Sequence, residues 1–130
     1  MSDSADRQVS KIFTLADICR ILDAKVICGE DKLDQEIRTA CGCDLMSDVL
    51  AFTHPGSVLL TGLTNQQVVR TAEMLDLAAV VIVRDKQPDE TTVELARSKG
   101  LPILMSPHPL YESCGMLYTN GLMGCNGSRD

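Results

Sequence analysis

The spacing of apolar residues predicts an alternation of helices and strands along the chain. One helical face comes first, repeating at intervals of three and four residues through Leu15, Ile18, Cys19 and Leu22. Thr14 precedes this face as a candidate N-cap, with Asp17 as its acidic partner in the first turn. Strands are predicted next at 25–28 and 37–43. Asp44 is then a candidate cap for a short helix that continues to residue 50.

The second half of the chain alternates regularly between short apolar strands and amphipathic helices. The strands are predicted at 57–61, 79–83 and 101–105. The helix after the first of them, the third helix of the chain, is predicted over 66–77, and the other two helices begin near residues 89 and 110. Residues 79–83 are apolar without alternation, which is typical of a strand that is covered on both faces. The β-α-β-α-β-α order predicts parallel strands that are joined by right-handed crossovers, and hence an α/β fold.

Composition and charge exclude several classes of protein. The chain has 130 residues, with 18 Asp and Glu against 12 Lys and Arg, and a formal net charge of -6. This acidity argues against nonspecific nucleic-acid binding and against adhesion to anionic membranes. No apolar run approaches the roughly 18 residues of a membrane span, and residues 1–10 lack the apolar stretch of a secretory signal. We therefore expect a cytoplasmic protein with no nucleic-acid or membrane partner.

The residue pattern predicts a single folded unit over 11–122. Residues 1–10 are polar and are predicted to form a disordered N-terminus, and residues 123–130 are predicted to form a flexible tail. Six cysteines occur in a chain without an export signal, so we expect reduced thiols rather than a disulfide framework. No cofactor is predicted.

Candidate ligand-binding residues lie where the predicted parallel strands end, because ligands of open parallel sheets bind beyond the carboxyl ends of the strands. These ends carry Thr61, Gly62, Thr64, Asn65, Arg84, Asp85, Ser106 and His108. Residues 61–65 lead into a helix, whose free N–H groups favour an anion such as a phosphate or carboxylate. Arg84 is the one fixed positive charge expected there, suited to a bidentate phosphate contact, and His108 is a further candidate for contact with an anion. The alternative is a capped helix beside a solvated charge pair.

Cys41 and Cys43 form a second candidate site, since two positions apart on a strand they share one face. One of them could be a redox thiol whose pKa is lowered by the helix start that follows. As metal ligands they are weak candidates, because they supply only two of the four ligands that metal sites usually need. The candidates for the remaining ligands are His54, His108 and Cys114. The other interpretation, which we favour, is buried packing. No nucleophile–base pair occurs at an informative spacing, so no enzyme activity is predicted.

Several stretches of the chain, taken in order, resemble a known family. They are TLADICRILDAKVICGE at 14–30, LDQEI at 33–37, CDLMSDVL at 43–50, LAAVVIV at 77–83 and GLPILMSP at 100–107. Together they are similar to DRTGG domains, which share a fold with the N-terminal domain of HPr kinase/phosphorylase. The resemblance implies three layers: a mixed, mostly parallel sheet of about five strands with helices on both faces, usually in a dimer.

The resemblance also implies a setting for the protein. Such domains occur beside CBS domains in regulated pyrophosphatases, within phosphotransacetylases, and as free-standing proteins of anaerobes encoded near iron-hydrogenase-type genes. In most of these settings they are regulatory or architectural rather than catalytic. The chain departs from the name-giving pattern, since it reads TGLTN at 61–65 and VRD at 83–85 where Asp-Arg and Thr-Gly-Gly would be expected. No P-loop of the GxxxxGKS/T type occurs, so kinase activity is not expected.

These observations predict a non-catalytic regulatory module. It binds a small anionic metabolite or nucleotide at the carboxyl edge of the strands, as a homodimer, and acts through a population shift. The alternative is a ligand-free interaction or architectural subunit that docks onto a redox enzyme of the hydrogenase type. A third hypothesis is a thiol or metal protein built on Cys41 and Cys43.

Overall fold

A six-stranded sheet forms the centre of the fold in the computed structural model, which describes residues 12–125. The strands are β1 Phe13–Thr14, β2 Lys25–Cys28, β3 Glu36–Ile37, β4 Thr39–Gly42, β5 Val58–Thr61, β6 Ala79–Ile82, β7 Ile103–Met105 and β8 Met123–Gly124. The helices are α1 Leu15–Ile21, α2 Met46–Phe52, α3 Gln66–Met74, α4 Glu90–Lys99 and α5 Leu110–Thr119, with a 3-10 helix at Glu30–Lys32.

The order of strands in the main sheet is β2-β7-β6-β5-β4-β8. Strands β7, β6, β5, β4 and β8 are parallel to their neighbours, whereas β2 pairs antiparallel with β7. β1 and β3 form a separate antiparallel pair. The mixed, mostly parallel sheet is the predicted α/β architecture, with one strand more than the five expected. Parallel alignment brings the carboxyl ends of β4, β5, β6 and β7 to one edge of the sheet.

Helices cover both faces of the sheet and bury two separate clusters of apolar residues. Val58, Leu60 and Val81 face α1 and α5 in the first cluster. Leu59 and Val80 face α2, α3 and α4 in the second. All four residues of β5 and of β6 are buried, because successive side chains of a strand point to opposite faces and each face is covered here. The uninterrupted apolar run at 79–83 is thereby explained.

The predicted start of the first helix is confirmed. The Thr14 hydroxyl accepts a hydrogen bond from the Asp17 N–H, and the Asp17 carboxylate accepts one from the Thr14 N–H, so the two residues form a capping box. The strand predicted at 25–28 is also confirmed as β2. Gly100 ends α4 in the left-handed conformation (φ 68°), which favours glycine.

The single strand predicted over 37–43 is wrong, because the chain changes sheets at Arg38. Ile37 is completely buried and pairs with Phe13 of β1, whereas β4 begins at Thr39 and pairs with β5 and β8. The helix predicted from Asp44 is displaced as well. It begins at Met46 with Leu45 in the N-cap position, because the Asp44 carboxylate is bonded elsewhere, at the end of β5.

Two element ends also differ from prediction. The third helix was expected to reach Leu77 but ends at Met74, where Asp76 adopts a left-handed conformation (φ 57°) and the Leu77 N–H bonds the Ala72 carbonyl. The folded unit was expected to end at residue 122, yet Met123–Gly124 adds strand β8 beside β4. The predicted disordered residues 1–10, and the part of the predicted tail beyond Cys125, lie outside the described residues.

Candidate functional site at the carboxyl ends of the strands

The end of β5 is bonded to a carboxylate from the loop after β4. The Thr61 hydroxyl and the Gly62 N–H each donate a 2.7 Å hydrogen bond to Oδ1 of Asp44. Thr61 is fully buried, and its hydroxyl oxygen also accepts a bond from the Leu63 N–H. The two groups that sequence analysis assigned to an anion therefore already hold one, which belongs to the protein itself.

Lys86 is a second cation at this edge that sequence analysis missed, having counted Arg84 alone. Its ammonium group donates a 3.1 Å hydrogen bond to the Gly62 carbonyl. A Cβ built on Gly62 would lie 3.5 Å from Lys86 Nζ and 3.6 Å from Asp44 Oδ2, so opposite charges flank this glycine. The feature of the sequence that could have identified Lys86 is its position, two residues after Arg84 in the loop that follows β6.

The remaining polar residues of this loop bond the starts of two helices, α3 and α4. The Asn65 side chain accepts a 3.1 Å hydrogen bond from the Gln67 N–H and is the N-cap of α3. The Thr64 carbonyl accepts a 3.4 Å bond from the Asp89 N–H. The contacts of Asn65 therefore agree with the alternative interpretation, in which this residue caps the helix.

Arg84 and Asp85 join the loop after β6 to the loop after β7. Both adopt left-handed backbone conformations, with φ values of 63° and 54°, which are uncommon for residues other than glycine. The Arg84 N–H donates to the His108 carbonyl at 3.0 Å, and the Asp85 N–H donates to the Ser106 carbonyl at 2.9 Å. These bonds hold the strained segment in place and leave the Arg84 side chain exposed.

Ser106 and His108 are bonded to the end of the first helix. The buried Ser106 hydroxyl donates a 2.9 Å hydrogen bond to the Leu22 carbonyl and accepts one from the His108 N–H. His108 Nε2 lies 2.9 Å from Asp23 Oδ2. Asp23, a partner that sequence analysis did not foresee, is 85 residues away in the chain. Ser106 thus has a structural role, and its buried hydroxyl is not exposed for contact with a ligand.

Six of the eight predicted residues form two groups at one edge, whereas Thr64 and Asn65 bond the starts of α4 and α3. Thr61 and Gly62 gather around Asp44 and Lys86. Arg84 and Asp85 join Ser106 and His108 through their backbones. The loop 84–86 belongs to both groups, because its Lys86 reaches Gly62 while its Arg84 bonds the segment after β7. The strand ends therefore meet as the parallel topology predicts.

One of the two paired thiols, Cys41, has an environment opposite to the one hypothesised. Cys41 and Cys43 share one face of the sheet, as predicted, and pack against the cluster under α2, α3 and α4. Burial raises the pKa of the Cys41 thiol. The hypothesis of a thiol pKa lowered by a helix start is therefore wrong for Cys41. Cys43 bonds the backbone of Leu45 instead.

The other thiols considered do not complete a metal site. Cys114 packs on the opposite face of the sheet from Cys41, and burial raises the pKa of its thiol. Within residues 12–125, no group of three or more His, Cys, Asp or Glu side chains is placed to hold a metal ion. In the same range, no helix has the length and apolar character to cross a membrane.

Comparisons with known proteins agree with this architecture. A family model described as DRTGG domain matches residues 17–119. Among solved structures, the fold is similar to the CBS and DRTGG domains of the regulatory region of Clostridium perfringens pyrophosphatase, complexed with its activator diadenosine tetraphosphate. The TM-score is 0.67 at 14% sequence identity, over 87% of this chain and 51% of the other, so this chain spans about half that structure's length. No curated protein sequence matches the chain.

Proposed function

Since the chain belongs to the DRTGG domain family, we propose that it is a non-catalytic regulatory module that binds a small anionic metabolite or nucleotide. Its binding site is the strand-end edge around Gly62. The similar Clostridium perfringens structure, a regulatory region in complex with a dinucleotide activator, supports a regulatory role and this ligand class. The observation that carries the proposal is the Asp44 carboxylate held by the Gly62 N–H and the Thr61 hydroxyl.

This pair of donors supports the site because it already binds an anionic oxygen at short distance. Both hydrogen bonds to Asp44 are 2.7 Å long, the length of a charge-assisted bond. A phosphate oxygen has the same acceptor chemistry as a carboxylate oxygen. The phosphate of a ligand therefore replaces the Asp44 carboxylate at these donors, with the Lys86 ammonium beside it to balance the charge. Arg84, exposed in the same loop, supplies a second cation.

Ligand binding then acts as a population shift. Without ligand, Asp44 ties the segment between β4 and α2 to the end of β5. A phosphate that takes over these donors releases Asp44, and the segment is free to move. Leu45 and Phe52, exposed apolar residues at the two ends of α2, move with it and present a different surface to a partner. We propose that the protein acts in this way as a cytoplasmic homodimer.

The test is thermal unfolding of the full chain with inorganic phosphate, AMP, ATP and diadenosine tetraphosphate. A ligand that binds only the folded state stabilises it by about 2.7 kcal/mol at a hundredfold excess over Kd. We expect stabilisation by at least one of these compounds, reduced in Lys86→Gln and increased in Asp44→Asn, which weakens the internal competitor. Lys99→Gln is the matched control, because Lys99 bonds Glu73 on the surface, away from these loops.

A flat response of the wild type and of Asp44→Asn to every compound would refute the proposal. Equal stabilisation of Lys86→Gln and the wild type would place the ligand elsewhere. Light scattering of the same samples measures whether the chain is dimeric and whether ligand changes this.

The second candidate function is a ligand-free docking subunit of a redox enzyme system, and one observation supports docking to a protein. Leu45 and Phe52 are 58% and 53% exposed, although both are large apolar residues. Exposed apolar side chains of this kind are common at protein interfaces. If no anion stabilises the chain, substitution of both residues by polar ones is the next experiment, with binding to the redox enzyme as its readout.

A further inference from the structure

A groove beside α5 is bordered by the only two tyrosines of the chain. Tyr111 and Tyr118 are 87% and 63% exposed, and both line this groove of about 400 Å³. Its apolar wall comes from β4 and β5 and from α5 and the segment after it, through Ala40, Leu60, Leu117 and Leu122. The eight residues predicted at the strand ends do not line it in the described part of the chain. It is therefore a different place from the anion site.

Gly115 keeps the space between the two tyrosines open. It lies inside α5, four residues after Tyr111 and three before Tyr118, so all three share one side of the helix. A Cβ built on Gly115 meets no atom within 4 Å in the described structure, and its φ is not in the left-handed region. Glycine is among the least favourable residues inside a helix. Neither packing nor backbone conformation requires this glycine, and its effect is to leave room above the helix.

The groove carries little charge. Glu112 is the only charged side chain among the described residues that line it. Burial raises the pKa of the Cys114 thiol, which keeps this lining group neutral at physiological pH. A phosphate or carboxylate would meet Glu112 without a cation in the lining, so the groove selects against anions. An uncharged group with N–H donors suits Glu112 instead.

We propose that this groove binds the flat ring of an uncharged heteroaromatic molecule of the nucleobase class, stacked on a tyrosine and donating an N–H to Glu112. The volume falls in the range of small-molecule sites, which are mostly apolar with a few polar groups. Aromatic side chains bind flat rings through offset stacking, and nucleobases present such faces. The proposal is independent of the anion site, because the two sites share no residue.

Adenosine, which is uncharged, is the probe, and intrinsic fluorescence is the measurement. The chain has no tryptophan, so its tyrosine emission comes entirely from the two residues at the groove. We expect adenosine to quench this emission in a saturable way. N-acetyltyrosinamide at equal absorbance corrects for light absorbed by adenosine.

Substitutions locate the binding. Gly115→Leu places a side chain in the open space and should weaken the Kd for adenosine at least tenfold. Tyr111→Leu and Tyr118→Leu each leave one tyrosine as a reporter. Replacement of the tyrosine that stacks on the ring should weaken the Kd for adenosine about tenfold, which corresponds to about 1.4 kcal/mol. Glu94→Leu, on the exposed side of α4, is the matched control for an added leucine. Lys86→Gln should leave adenosine binding unchanged, which separates this site from the anion site.

Three results would overturn the proposal. One is an unchanged tyrosine emission up to the solubility limit of adenosine. Another is an equal Kd in the wild type, in Gly115→Leu and in both tyrosine variants. The third is a wild-type dimer that Gly115→Leu converts into a monomer, which would assign the groove to a second copy of the chain. If circular dichroism shows that Gly115→Leu unfolds at a lower temperature than the wild type, the Kd values of the two tyrosine variants test the proposal instead.

Discussion

The hydroxyl of Thr61 donates a 2.7 Å hydrogen bond to the carboxylate of Asp44, 17 residues earlier in the chain. Thr61 is completely buried at the end of β5, whereas Asp44 is exposed in the loop after β4. The bond therefore fastens the segment before α2 to the centre of the sheet. We predict that Thr61→Val, which keeps the shape and removes the hydroxyl, lowers the free energy of unfolding by about 1–2 kcal/mol. Urea denaturation measures this loss.

Thr71→Val is the matched control for that substitution. Thr71 is also buried, in α3, but its hydroxyl has no hydrogen-bond partner among the described residues. Removing a buried hydroxyl that lacks a partner should leave stability unchanged or raise it. Equal losses in both variants would mean that the Asp44 bond contributes nothing beyond threonine packing.

Gly42 is predicted to be intolerant of a side chain. A Cβ at this position would overlap the Cys114 sulfur, which packs against the glycine from α5. We expect Gly42→Ala to lower the free energy of unfolding by about 1–3 kcal/mol, the usual cost of overpacking. Cys114→Ala removes the overlapping sulfur. In that background, Gly42→Ala should therefore lower the free energy of unfolding much less than it does in the wild type. Strict additivity in this double-mutant cycle would show that the two residues are not in contact.

Gly115 makes the opposite prediction, since space is open where its side chain would be. Gly115→Ala should raise the free energy of unfolding by about 0.5–1 kcal/mol, because alanine favours the helical conformation. Thermal unfolding followed by circular dichroism is sufficient to detect it. A loss of stability would indicate that the methyl group meets packed atoms and that the groove beside α5 is closed in solution.

The parts of the fold that depend on neighbouring residues were predictable from the sequence. The capping box of Thr14 and Asp17 involves residues three positions apart, and the buried β6 follows from its uninterrupted apolar run. The parallel order of β5, β6 and β7 follows from strands that alternate with helices. In each case the signal and the structure occupy the same stretch of chain.

The contacts of the candidate site were not predictable in the same way. Asp44 precedes a helical segment, so its position indicates a cap, yet its partner is decided by how β4 aligns with β5. The contact of His108 with Asp23 spans 85 residues and depends on where α1 ends relative to β7. The raised pKa of Cys41 follows from burial, which the spacing of two cysteines does not reveal. Such features require the tertiary structure.

Asp17 predicts how stability depends on pH. The hydrogen bond from the Thr14 N–H, followed by the bond from Arg20, lowers the pKa of Asp17 in the folded state. A carboxyl whose pKa is lower in the folded than in the unfolded state stabilises the protein above the unfolded value, near pH ~3.9. This contribution is lost as the pH falls through the lower, folded value.

Its size is modest, because Asp17 and Arg20 are partly exposed and solvent screens their interaction. The measurement is the difference in urea midpoint between the wild type and Asp17→Asn at about pH 6, 4 and 2.5, which bracket the ordinary pKa of an aspartate. The wild-type advantage should be full at the highest pH and shrink toward the lowest, as the carboxylate is protonated in both states. An advantage that grows on acidification would contradict a lowered pKa and hence the capping-box role of Asp17.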